Sequence, residues 1–139
     1  MFTVIGRFAS QAFALMRIII GVLYSLHGVQ LLFGFPPMKG MTDVPLPPIL
    51  HVAGYLELIG GILVALGLVT GIAAFINSGT MAVAYWTAHA PHGWHPLANQ
   101  GELAAVYCFI FLYIAAHGAG VWSIDSVIRG RSATVATTS

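Results

Sequence analysis

Charge is what this chain has least of. Only 6% of its 139 residues are Asp, Glu, Lys or Arg, against about 25% in ordinary soluble domains. Apolar residues make up 58%, above the usual roughly 45–50%. Such a chain cannot clothe a core in charged side chains, so it reads as an integral membrane protein with the lipid bilayer as its solvent. The few basic residues are scattered and the formal net charge is +1, so the electrostatic footprint of a nucleic-acid partner is absent. Cysteine is nearly missing too. Cys108 alone excludes an intrachain disulfide and a C-x-x-C dithiol, which weighs against a thiol oxidase. No flavin, nicotinamide or iron–sulfur motif is present.

What the chain has is long apolar sequence. A hydrocarbon core of about 30 Å takes roughly 20 residues of helix. Residues 12–34 supply the first span, stopped by Phe35-Pro36-Pro37 and longer than the roughly 7–15 apolar residues of a signal-peptide core, so it reads as retained. Residues 36–48 carry five prolines with Lys39 and Asp43, the composition of a semi-extended loop. As one helix, residues 49–90 would run to roughly 60 Å, so they must fold back once. The break falls at Gly67-Leu68-Val69-Thr70-Gly71, giving spans at 49–69 and 72–90. A fourth span covers 101–120, with Trp122 as its interfacial anchor and 126–139 as a short tail. The fold expected is one all-α domain over residues 1–139, a transmembrane four-helix bundle. Arg7, Arg129 and Arg131 lie in the termini, while Lys39 is the permanent cation of the opposite loops. The positive-inside tendency therefore places both termini in the cytoplasm.

Ionisable groups inside a bilayer are costly, so each is weighed as a functional candidate. His27 is roughly 10 Å from the outward end of span one, and Glu57 roughly 12 Å from the outward start of span two. Glu102 opens span four at the same side, beside His89, His92 and His95, three of the chain's six histidines. Tyr24 and His27 share a helical face with Arg17, and Tyr107 lies five residues beyond Glu102. These depths predict a polar pocket in the outer half of the membrane, with Tyr24, His27, Glu57, His89 and Tyr107 binding and Glu57, His27 and Glu102 reactive. Structural readings stand beside these. Glu102 fits the capping pattern Asn99-Gln100-Gly101-Glu102. His27 can serve as a hydrogen bond between helices, and Arg17 can snorkel to head groups. A metal is not expected, since Pro91 and Gly93 leave the geometry of His89, His92 and His95 undefined by their spacing.

Five separated blocks then resemble one family in order. They are Leu15-Met16-Arg17; His27-Gly28 with Leu32-Phe33-Gly34; Glu57-Leu58-Ile59-Gly60-Gly61; Ala88-His89 through Asn99-Gln100-Gly101-Glu102 to Tyr107; and Gly118-Ala119-Gly120-Val121-Trp122-Ser123-Ile124-Asp125. This is similar to the signature of the DoxX family, from about Leu15 to Asp125. The resemblance implies a small four-span protein of the bacterial inner membrane, with Arg17, His27, Glu57, His89, Asn99, Glu102 and Asp125 as its polar positions. It further implies a multi-pass accessory subunit of a larger membrane redox or respiratory complex. A quinone is the cofactor class such a pocket would take. The alternative expectation is a non-catalytic scaffold or assembly subunit that docks a larger complex; association as a homo-oligomer is the other assembly considered. Whether the chain is an enzyme stays open at this point.

Overall fold

The computed structural model describes residues 4–37 and 45–137, with side chains of the last helix described as far as residue 130. Among the described residues the regular secondary structure is all helix, without strands. Helix α1 spans Ala9–Phe33, α2 Pro48–Leu66, α3 Thr70–Ala84, α4 Glu102–His117 and α5 Ile124–Thr137. The expected proline-rich loop, with Lys39 and Asp43, lies largely outside the described residues.

Each boundary has a local cause. Pro48 opens α2, where a missing N–H costs no hydrogen bond. Gly67 closes it in the left-handed region at φ 68°, and the chain turns at once into α3. The hairpin read from 67–71 is therefore as tight as its uncharged sequence implies. Helix α3 continues through a π-turn, Tyr85–His89; fifteen residues of α-helix and five of π-helix together reach roughly 30 Å. By their own length and apolarity, Val4–Phe33 and Pro48–Leu66 can cross a membrane. Helix α4 is shorter than the expected 101–120 span, because Gly118 at φ 86° ends it after His117. The segment expected as a tail is helical too. Ser123 accepts a hydrogen bond from the Ser126 N–H at 3.2 Å, the bond of an N-cap, and starts α5.

The packing is inverted relative to a soluble bundle. Leu15, Ile19, Leu26, Ile59, Phe75 and Phe109 are exposed, whereas Arg17, Glu57, Asn77 and Ser78 are buried. Apolar side chains facing outward around buried polar ones suit a hydrocarbon solvent. Two kinds of seam hold the helices. Between α1 and α2 the backbones touch: a Cβ on Gly21 would lie 2.6 Å from the Gly61 carbonyl oxygen, and one on Gly61 2.6 Å from that of Gly21. Only glycine permits this approach, the small-residue packing that membrane helices use. Between α1 and α4 aromatic rings fill the gap instead. Tyr24 meets Phe111 edge-on at 4.6 Å, and Phe13 stacks on His117 at 3.8 Å.

Candidate functional site

The alternating direction of the helices decides which residues can meet. The later part of α1, the early part of α2, the end of α3 and the start of α4 share one end of the bundle. There a cavity of about 240 Å³ is lined by Tyr24 and His27 of α1, Glu57 of α2, Met81 of α3, His89 of the π-turn, Gln100, and Tyr107 of α4. All five residues expected to bind, Tyr24, His27, Glu57, His89 and Tyr107, line this one cavity.

The walls are aromatic and the polar atoms are few. The His27 ring meets Tyr107 edge-on at 5.8 Å, and Tyr24 lies 5.4 Å from Tyr107. Glu57 is buried, and its Oε2 has no hydrogen-bond partner among the described residues. The Tyr24 hydroxyl is likewise unpaired; it faces Thr80, whose own hydroxyl donates to the Ile76 carbonyl at 3.0 Å. A buried carboxyl and phenol left without partners are expensive, so they mark where a polar ligand would be satisfied.

The mouth of the cavity is held by Asn99. Its Nδ2 donates to the Gly93 carbonyl at 2.7 Å, and its Oδ1 accepts the Gly101 N–H at 2.8 Å. His89 Nδ1 lies 3.1 Å from the Asn99 carbonyl oxygen, which selects the tautomer that donates from Nδ1 and leaves Nε2 as an acceptor. Gly101 is required here, since a Cβ would strike Tyr85, Asn99 and His89. Thus the breaker-rich stretch after α3 forms a pinned rim.

Glu102 is not brought into this set. It stands exposed on the first turn of α4 and is absent from the cavity lining. The capping box does not form either, because Gly101 is the N-cap, no side chain bonds that helix start, and the Asn99 oxygen is taken by Gly101. What remains for Glu102 is a negative charge at the positive end of a helix dipole. His92 and His95 are exposed, and no group of three His, Cys, Asp or Glu among the described residues could hold a metal ion.

The other end of the bundle holds the clearest correction. Arg17 does not snorkel; it is fully buried. Its Nη1 donates to the Val64 and Ala65 carbonyls at 2.6 and 2.8 Å, and its Nη2 to the Trp122 carbonyl at 2.7 Å. The first two lie in the last turn of α2, where Val64 also accepts the Gly67 N–H at 3.1 Å and a cation complements the dipole. Across the turn, Asp125 accepts from the Val69 N–H, the Thr70 N–H and the Thr70 hydroxyl at 2.8–2.9 Å, capping α3 from the start of α5. Burial alone would raise the Asp125 pKa, but the bonds from Thr70 and Val69, with Arg129 nearby, outweigh it and hold the carboxyl below its ordinary range. Asn77 was missed by the sequence reading. It is an amide in the middle of an uncharged apolar run, a signal as plain as that of Glu57.

The DoxX family pattern matches residues 12–90, more than half of the chain. An uncharacterized protein of Haemophilus influenzae is 43% identical over 117 residues, covering 81% of this chain and 87% of that protein. A second uncharacterized protein of the same organism is 32% identical over 79 residues, covering 57% of this chain and 52% of its own length. No solved structure matches the chain. With the buried Arg17, the His27–Glu57 cavity and the glycine seam all built from residues inside the matched region or beside it, the chain belongs to the DoxX family of small integral membrane proteins.

Proposed function

We propose that this protein is a multi-pass accessory subunit of a redox or respiratory complex in the bacterial inner membrane, and that its cavity binds a quinone head group. Both termini then face the cytoplasm, and the cavity lies in the outer half of the bilayer. The observation that carries the reading is the cavity itself: aromatic walls, a histidine, and a buried carboxyl with an unpaired oxygen. A flat ring would pack against the Tyr24 and Tyr107 side of the cavity, and the few polar atoms would fix its orientation.

When bound, a quinone supplies carriage of two electrons and two protons, the electrons being exchanged with a redox centre of the partner complex. The chain's own residues do the rest. His27 is placed to hydrogen-bond a ring oxygen, Glu57 to hold or release a proton beside it, and His89 with Gln100 to connect the cavity to the outer surface. Asn99 keeps the His89 tautomer that leaves Nε2 free to accept that proton.

The scaffold reading draws on Arg17, a buried charge employed in joining helix ends. Purification from native membranes in mild detergent separates the two readings. A co-purifying redox complex whose turnover falls in a fully assembled Glu57→Gln variant supports the quinone site. Turnover unchanged in that assembled variant favours the scaffold.

A further inference from the structure

Past Glu57 the unpaired polar atoms continue inward. Asn77 projects from the middle of α3, is 0% exposed, and has no hydrogen-bond partner for either Oδ1 or Nδ2 among the described residues. It presses on Gly60 of α2, where even a methyl group would collide with Oδ1. Gly60 is one turn from Glu57 on α2, and Thr80 is one turn from Asn77 on α3. Thr80 in turn faces the Tyr24 hydroxyl, and Tyr24 and Glu57 line the same cavity. Four unpaired atoms on three helices therefore occupy neighbouring turns: Asn77 Oδ1 and Nδ2, Tyr24 OH and Glu57 Oε2.

A buried polar group left unsatisfied is costly, so four together call for a partner. The cluster offers two amide N–H donors and one hydroxyl donor against amide, phenol and carboxyl oxygens. A water molecule, giving two hydrogen bonds and accepting two, matches that mixture; an apolar group would satisfy none of it. We infer that Asn77, Tyr24 and Glu57 hold bound water among them. This water carries the polar lining of the cavity past Glu57 to the centre of the bundle, and Asn77 positions the Glu57 carboxyl through it. Asn77 is thus a positioning residue. The inference shares Glu57 with the quinone reading but not its ligand, so either can fail alone.

The test uses the full chain reconstituted in lipid and no quinone. Infrared difference spectra between acid and alkaline pH contain the carbonyl stretch of protonated Glu57, identified by its loss in Glu57→Gln. The expected result is a water O–H band that shifts in H₂¹⁸O, disappears in Asn77→Leu, and takes with it a hydrogen bond to Glu57, moving the carboxyl band to higher wavenumber. Absence of any ¹⁸O-sensitive band in the unaltered protein overturns the inference. So does a carboxyl band that stays in place in folded Asn77→Leu. Should that variant not fold, Asn77→Ser is read by the same band, which must move.

Discussion

The two ends of this bundle each bury an ionisable side chain, and they treat it in opposite ways. At the end formed by the 67–69 turn and the start of α5, Arg17 reaches carbonyls of α2 and of Trp122, and only its Nε lacks a partner. At the other end, Glu57 keeps an unpaired oxygen beside an aromatic-walled cavity. Burial alone therefore does not identify function in a membrane protein. A charge whose bonds are used up by the fold is holding the fold; one left unsatisfied beside open volume is available to something else.

The contrast is broken or sharpened by substitution. The largest effect is expected from Arg17→Met, which strands the carbonyls of Ala65 and Trp122, removes a second bond from that of Val64, and should cost about 2–6 kcal/mol, since each stranded group costs about 1–3. Thermal unfolding in detergent would read this as a steep fall in midpoint or as loss of folded protein. Next comes Gly61→Val, whose Cβ would meet the Gly21 carbonyl oxygen, the Ser25 amide and the Ser25 side chain. Overpacking of this kind costs about 1–3 kcal/mol, and unfolding of the variant measures it.

A smaller loss, about 1 kcal/mol as for other helix caps, is expected from Asp125→Ala. Its pH dependence has a definite sign. The folded carboxyl titrates below its unfolded value, so its stabilisation is fully present above the unfolded pKa and is lost as pH falls through the folded one. Melting curves across mildly to strongly acidic buffer should show a drop for the unaltered chain that Asp125→Ala flattens. The smallest effect on stability belongs to Glu57→Gln. It exchanges an unpaired carboxyl for an amide of the same shape, and its midpoint should stay within about 0.5 kcal/mol of the original. A Glu57→Gln loss as large as that of Arg17→Met would erase the distinction between the two ends.

How much of this was readable before the structure follows from what sequence periodicity encodes. Depth along a span is a matter of counting residues. His27, Glu57, His89 and Tyr107 could therefore be assigned to one level, and they line one cavity. Rotation about each helix axis is set by packing, and that is where the reading failed. Arg17 shares the inward face of Tyr24 and His27, as its spacing implies, but five residues from a span end it reads as snorkelling to head groups; Gly21 and Gly28 press α1 on α2 and keep the guanidinium among the helix ends. Glu102 had the right level but sits on an outward face. Asn77 carries no charge to mark it in the sequence, though an unpaired amide in hydrocarbon is subject to the same kind of penalty. Helix α5 was read as tail because its residues are mixed in polarity; the Ser123 cap and the Asp125 bridge to α3 are tertiary facts.

The central claim, that the Glu57 cavity is the working site, is tested most directly by titrating a water-soluble quinone analogue into purified protein, unaltered and carrying Glu57→Gln. Quenching of intrinsic fluorescence reports binding. The account predicts saturable binding that weakens about tenfold in Glu57→Gln, the worth of one good hydrogen bond, while the unfolding midpoint is unchanged. Equal affinity in the two proteins, or no saturable binding in the unaltered one, would contradict it.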